Sequence, residues 1–322
     1  MSKLFALDDF SETFYKLKIR GLKFFLTRFH PSEHKRVATA WNAATQYRGI
    51  NFWEIPAVQK RWNLLITGNA NKNYFEYLEE KYFNENTILL SPGCGTGSKE
   101  ILLAGSKKVK HIDAFDIAEE RIAEARRKAK VQRVSDINFF VSDISSFEPQ
   151  AETYDAVLFD SFLHHVKDLS GVLLKIKSGL KSGGLLVINE YVGASRFQWD
   201  EEQKSAADRA LKLVPAKYRK REFDEKIKTK NFYPGLLRMI LSDPSEAVNS
   251  ENILNEIHKQ FETVEEKPYG GNLLQIVLKY ISHNFMNDDA ETKTVLGKLF
   301  EQEDKFLKTH TSDFLFGVYR KK

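Results

Sequence analysis

The sequence predicts an α/β protein built on a doubly wound, mostly parallel sheet, with a helical region before it and a helical cap inserted in its second half. Three observations carry this. Residues 86–98, Asn-Thr-Ile-Leu-Leu-Ser-Pro-Gly-Cys-Gly-Thr-Gly-Ser, run from an apolar stretch through a glycine-rich turn into a helical pattern. From 87 to 191 strand patterns alternate with helical ones, which implies parallel strands joined by right-handed crossovers. Apolar runs such as 156–159 and 185–188 suit strands buried on both faces.

Residues 1–84 lack strand alternation and read as helices. Within 14–29, Tyr15, Ile19, Leu22, Phe25, Leu26 and Phe29 fall at helical spacing, with Lys16, Lys18, Arg20, Lys23 and Arg28 between them. Such a helix either packs on its own domain or makes weak peripheral contact with an anionic membrane. It ends at His30, because the residue before Pro31 avoids the helical region. Residues 51–56 read as an aromatic loop, 57–66 as a helix, 67–71 as a turn and 73–82 as a further helix. Strands are expected at 87–90, 111–117, 137–141, 154–160 and 185–191, and helices at 98–104, 118–133 and 169–180. Residues 193–262 are charged, carry Pro215, Pro234 and Pro244, and interrupt the alternation as the cap. A strand at 261–267, a buried helix at 272–285, an amphipathic helix at 294–308 and a last strand at 313–320 complete the chain.

With 42% hydrophobic and 29% charged residues, the 322-residue chain has ordinary globular values. No apolar run approaches the roughly 18 residues of a membrane span. The N-terminal apolar stretch is broken by Lys23 and Arg28, unlike a signal-peptide core, so a cytoplasmic protein is expected. The net charge of +5 arises from 49 bases and 44 acids. Between 212 and 230 eight bases face three acids, so the excess is local. It reads as a contact for an anionic partner or as a solvated face, and no nucleic-acid partner is expected. A single cysteine, Cys94, excludes an internal disulfide and a cysteine metal cluster, and no metal site is expected. Cys94 is either a small residue filling a turn or a reactive thiol.

In doubly wound sheets ligands bind beyond the carboxyl ends of the strands, where the winding reverses. After the first strand stand Gly93, Gly95 and Gly97, which let a ligand lie against bare backbone. After the second stands Asp116, next to Ile117, suited to accept hydrogen bonds from both hydroxyls of a ribose. After the third stands Asp143, able to accept from an adenine amino group while Ile144 covers the ring. After the fourth come Asp160 and then His164 and His165, and after the fifth Glu190 and Tyr191. An aspartate at one strand end is commonly a turn or helix cap. The ordered set of glycine turn, ribose acid and adenine acid describes a bound nucleoside.

These stretches resemble class I S-adenosylmethionine-dependent methyltransferases of the small-molecule type. Pro92-Gly-Cys-Gly-Thr-Gly97 is similar to their first motif, Asp116 to their ribose acid and Asp143 to their adenine acid. Residues 154–160 resemble the fourth motif, with Leu163-His-His-Val166 in a form common among small-molecule enzymes. Lys181-Ser-Gly-Gly-Leu-Leu185 resembles the turn before the fifth strand. The resemblance covers about 85–192 well and the C-terminal strands loosely. Residues 189–198 and 243–247 look like features of an uncharacterised bacterial subgroup. The resemblance implies a Rossmann-like sheet of seven strands, closed by an antiparallel one at 313–320. It implies a methyltransferase domain over 85–322, with the cap at about 193–262. It also implies S-adenosylmethionine as cofactor, held by Gly93, Cys94, Gly95, Gly97, Asp116, Ile117, Asp143, Ile144 and Asp160. One position departs: the family usually has an acid two residues before the first glycine, supporting the cofactor's amino-acid end, and here it is Ser91. There is also no Asn- or Asp-Pro-Pro-Tyr after the fourth strand, which argues against amide-type N-methylation.

A sulfonium-bound methyl is already activated, so such an enzyme chiefly aligns nucleophile, methyl and sulfur and excludes water. An oxygen acceptor also needs its proton removed. His164 and His165 are the best-placed bases. Consecutive residues face different ways, so one points inward and the other out, with His164 favoured as the inward one. Glu190, Tyr191 and Arg196 lead toward the cap and are expected to contact the acceptor. Arg196 suits an acceptor carboxylate or phosphate, or an ion pair between cap and core. The expected acceptor is a small molecule methylated on oxygen, with an anionic group. Rival readings are a non-catalytic cofactor-binding module, an aminopropyl transferase and a nicotinamide dehydrogenase. The last fits poorly, since Ser98 stands where its third glycine would fall.

Overall fold

The computed structural model describes Leu4, Asp9 and residues 49–322. The basic pattern expected at 14–29, and any membrane contact through it, lies outside the described residues. Among the described residues no helix is long and apolar enough to cross a membrane.

Among the described residues, two α-helices precede the sheet. α1 (Pro56–Thr67) starts on a proline, whose missing N–H has no intrahelical partner to lose. It stops at Gly68, which adopts the left-handed conformation. α2 (Tyr74–Lys81) is opened by a capping box: Asn73 accepts from the Phe75 and Glu76 amides, and Glu76 returns a bond to the Asn73 amide. The alternating core follows as β1 (Ile88–Pro92), α3 (Ser98–Gly105), β2 (His111–Asp116), α4 (Glu119–Gln132), β3 (Ile137–Val141), β4 (Tyr154–Asp160), α5 (Leu169–Gly179) and β5 (Leu180–Tyr191). Between β5 and the next strand lie α6 (Glu201–Lys212), α7 (Leu236–Ser242) and α8 (Ile253–Gln260). β6 (Phe261–Gly270), the short α9 (Leu274–Val277), α10 (Ala290–Leu307) and β7 (Phe314–Lys321) end the chain.

The seven strands are ordered β3-β2-β1-β4-β5-β7-β6. β1 pairs in parallel with β2 and β4, and β7 runs antiparallel between β5 and β6. The chain therefore winds outward from β1 to β3, then returns to β4 on the other side of β1. The crevice lies at that reversal, beyond Pro92 and Asp160. Successive residues of each central strand enter opposite cores. Leu89, Ala156, Leu158 and Val187 pack with α1 to α4 and with α6, while Leu90, Val157, Phe159 and Ile188 pack with α5 and α8. Truncating a fully buried strand residue such as Leu158 to alanine costs about 2–5 kcal/mol, so the strand ends that carry the site are firmly held.

The structure departs from expectation in three places. The run at 272–285 is broken, because Tyr280 takes φ +70 and the buried Lys228 ammonium donates to the carbonyls of Ile276, Val277 and Lys279. Within 193–262, α6 shares the core on one face of the sheet and α8 packs against α5 on the other, so this stretch is joined to the sheet at both ends. Part of the 212–230 charge is paired: Lys217 with Glu291, and, within the segment itself, Lys220 with Glu225 and Arg221 with Asp224, so one acid from outside is added to the three already counted. Surface pairs of this kind add little to stability, because water and salt screen them.

Candidate active site

Local sterics shape the glycine turn after β1. Gly93, Gly95 and Gly97 take φ of +72, +57 and +67, a region that side chains disfavour. A Cβ on Gly93 would overlap the Phe162 ring, and one on Gly97 would overlap Phe139. One on Gly95 would stand 3.3 Å from Arg121 Nη1, a cation on α4 that the sequence reading missed. The Gly93 and Cys94 amides both donate to the Phe115 carbonyl, at 2.7 and 3.0 Å. Burial pushes the Cys94 thiol up, and Glu100 and Asp116 push it further. Half-buried in the turn, Cys94 is held toward the neutral thiol, which favours the small-filler alternative.

Asp116 ends β2 with its carboxylate under the turn. Oδ2 accepts from the Gly95 amide at 3.0 Å and Oδ1 from the Ala118 amide at 2.8 Å. Burial raises its pKa, against the opposing pull of these amides and Arg121. Each oxygen retains a second lone pair for a ligand hydroxyl. Ile117 beside it is half-buried. Beyond β3, Asp143 Oδ1 accepts from the Ser145 amide at 2.9 Å and its hydroxyl at 2.8 Å. Ile144 is half-buried against the core that holds Phe115 and Phe147.

Ser91 is not without a carboxylate. Its hydroxyl donates to Glu100 Oε1 at 2.8 Å, and Glu100, on the first turn of α3, is 3% exposed. Glu100 Oε2 is buried with no hydrogen-bond partner. Burial lifts its pKa from 4.5 to about 7. Asp160 is engaged differently from the expectation of a direct cofactor contact. It binds the Tyr74 hydroxyl and the Lys99 ammonium, and accepts from Asn189 Nδ2 at 2.9 Å. Tyr269 in turn donates to Asn189 Oδ1 at 2.7 Å.

The histidines follow on a one-turn helix, Leu163–His165. Glu190, expected to touch the acceptor, is wholly buried and turned back onto this turn. Oε1 accepts from the Phe162 amide and, at 2.6 Å, from the Leu163 amide, and Oε2 lies 2.8 Å from His164 Nδ1. The carboxylate only accepts, so His164 Nδ1 carries a hydrogen and the neutral ring keeps its lone pair on Nε2. That Nε2 lies 3.8 Å from Glu246 Oε1. Burial alone would lower the His164 pKa, but Glu190, then Glu246 and Asp243, raise it above 6.5. His165 lies with its ring 4.1 Å from that of His164, and its Nδ1 is 3.2 Å from Ser245 Oγ. Burial, then the neighbouring His164, lowers its pKa well below 6.5.

Tyr191 and Arg196 also differ from expectation. The Tyr191 hydroxyl donates to the Ala194 carbonyl at 3.0 Å, and its ring packs against Phe197 and Phe314. The Arg196 guanidinium donates to the carbonyls of Asp243, Pro244 and Glu246 at 3.3, 2.6 and 3.1 Å. Arg196 thus fixes the 243–246 loop over the histidines.

The donors on this face fit S-adenosylmethionine. Its ribose, adenine and ammonium call for acceptors and its carboxylate for a cation, and the face carries Asp116, Asp143, the buried Glu100 and Arg121 around a turn whose Gly93 and Gly97 leave no room for a side chain. The model of a methyltransferase domain matches residues 83–265. The chain belongs to the S-adenosylmethionine-dependent methyltransferase family. The family's cofactor is S-adenosylmethionine, and the nicotinamide reading falls with that. Among curated relatives, a malonyl-[acyl-carrier protein] O-methyltransferase of Bacillus anthracis is 30% identical over 151 residues, 44% of this chain and 54% of that one. A second such enzyme, from Ilyobacter polytropus, is 29% identical over 126 residues, covering 39% and 46%. The chain spans about half the length of these curated relatives. Of solved structures, geranyl diphosphate C-methyltransferase from Streptomyces coelicolor matches with a TM-score of 0.54 at 11% identity, covering 91% of this chain and 100% of that one. At that identity the likeness concerns the fold alone.

Proposed function

We propose that this methyltransferase carries the methyl group of S-adenosylmethionine to an oxygen of a small-molecule acceptor bearing an anionic group. The observation that carries the reading is the buried Glu190–His164 pair at the end of β4, beside the glycine turn. Glu190 fixes the ring so that Nε2 presents a lone pair, which can take the proton of an acceptor hydroxyl as the oxygen attacks. The cofactor supplies a methyl that leaves its sulfur with no further activation. The chain's part is alignment: Asp116, Asp143 and Glu100 hold the nucleoside and the ammonium, and Phe162 over Gly93 keeps water from the turn. Arg121 brings its guanidinium beside the glycine turn, with Nη1 3.3 Å from where a Cβ on Gly95 would stand, a cation of the kind that suits a carboxylate. The curated relatives named above are O-methyltransferases, which supports oxygen as the receiving atom.

The test is turnover on a panel of hydroxyl- and carboxylate-bearing compounds, with S-adenosylmethionine binding measured by calorimetry alongside. Glu190→Gln should lower kcat about tenfold or more while cofactor affinity stays within about twofold, since the pair acts on the acceptor side. Tight cofactor binding with no turnover on any oxygen acceptor would put the non-catalytic module ahead. Unchanged kcat in Glu190→Gln would remove the pair from the chemistry.

A further inference from the structure

The loop at 243–246 is built more elaborately than a cover needs. The Asp243 carboxylate accepts from the Ser245 amide at 2.9 Å and from its hydroxyl at 2.6 Å, fixing the serine on His165. Arg196 clamps three carbonyls of the loop, and the Val248 amide returns to the His164 carbonyl at 3.0 Å. The result is that Glu246 is delivered onto two histidines more than 80 residues away in sequence. One ligand-type atom from each of His164, His165 and Glu246 lies within 4.8 Å of the other two.

We propose that His164, His165 and Glu246 bind a divalent transition-metal ion, with its remaining coordination positions open to the methyl acceptor. A tetrahedral ion with metal–nitrogen bonds of about 2.1 Å holds its donors about 3.4 Å apart. The 3.8 Å between His164 Nε2 and Glu246 Oε1 is within a rotamer adjustment of that. Two imidazoles and one carboxylate select zinc, iron, manganese or cobalt over magnesium and calcium, which prefer oxygen alone. The single cysteine argues only against a thiolate cluster, not against this set.

The shell behind the ligands points the same way. Metal-bound histidines characteristically donate their second nitrogen to a carboxylate or another fixed acceptor. His164 does so to Glu190, which two backbone amides hold in place. His165 has Ser245, held by Asp243, and the Glu246 main chain is held by Arg196. A simple ion pair between His164 and Glu190 would account for the first of these contacts. It does not call for a second imidazole 4.1 Å away, nor for a loop clamped to bring in a second carboxylate.

The inference rests on the methyl-transfer reading only for what the ion does. An acceptor hydroxyl bound to it loses its proton to water more readily, as bound water does. The oxygen then takes the methyl, and the sulfur keeps the electron pair of the broken bond. With the ion bound, His164 Nε2 is a ligand, and metal coordination takes over the deprotonation assigned above to the ring.

The test uses the full chain, stripped with EDTA and titrated with Co2+ followed by Zn2+. One equivalent of Co2+ should bind, give visible absorption and be displaced by Zn2+. His165→Ala and Glu246→Gln should each weaken binding at least about tenfold, and Ser245→Ala, which keeps all three ligands, about tenfold. Melting temperatures of the variants check folding, and the partly exposed Glu246 is the least disruptive site. No stoichiometric binding, or equal binding by wild type and both ligand variants, would overturn the proposal. Calorimetry of S-adenosylmethionine on the stripped protein reads the cofactor site separately. Full methyl transfer by protein shown to contain no metal would discard the catalytic role of the ion and leave the methyl-transfer reading standing.

Discussion

Replacing Glu100 by glutamine probes the buried acid beneath the glycine turn. Its carboxyl is 3% exposed, bonded through one oxygen to Ser91, and raised from 4.5 to about 7 chiefly by burial. The folded-state value is the higher one. The group's contribution to stability is therefore fully present below 4.5 and is lost as the pH rises through about 7. At about 1.4 kcal/mol per pH unit, the wild type should lose about 3 kcal/mol from this group between about pH 4.5 and pH 8.5. Glu100→Gln cannot ionise and should escape that loss. The amide brings its own cost, because its NH2 meets the place where Oε2 now lacks a partner, but that cost does not vary with pH. The quantity to measure is the difference in unfolding free energy between variant and wild type, from urea titrations across that range. It should move in the variant's favour by about 3 kcal/mol from acid to alkaline pH. A difference that stays flat across the range would show that Glu100 ionises as freely in the fold as in water, and the buried-acid description would fail.

Two further outcomes follow from the geometry. Gly93→Ala sets a Cβ into the Phe162 ring at φ +72, and should destabilise the fold by about 1–3 kcal/mol and weaken S-adenosylmethionine binding, read by thermal melting and calorimetry. Arg196→Ala should release the 243–246 loop, lowering kcat at least about tenfold while cofactor affinity holds; a rise in acceptor KM alone would instead favour direct acceptor contact.

The positions legible in the sequence were those set by local order along the chain. The glycine turn, Asp116 and Asp143 stand at the ends of successive strands, and period and spacing suffice to place them. The histidine pair was legible for the same reason, as the first titratable residues after β4 beyond Asp160. What could not be read depends on contacts between distant segments. Glu100 looks like an ordinary acid in the first turn of a helix, where negative charge is common, and only the packing of α3 on the sheet, with the Ser91 hydroxyl against it, buries it. Glu190 was assigned to the acceptor because it sits at a strand end, yet the tight turn after β4 brings the Phe162 and Leu163 amides onto it. Glu246 and Ser245 reach the site through a loop whose position is set by Arg196, and no periodicity reports such a clamp. The break in the apolar run at 272–285 was hidden similarly, since it depends on a lysine arriving from residue 228. Arg121 was missed as one charge among many on α4.

The most direct test of the account is the calorimetric titration of S-adenosylmethionine into wild type and into Asp116→Asn. One site per chain is predicted, with affinity about tenfold to a hundredfold weaker in the variant, because a charged acceptor for the ribose hydroxyls is lost. No binding to the wild type, or equal binding by both proteins, would contradict the placement of the cofactor along the ends of β1, β2 and β3.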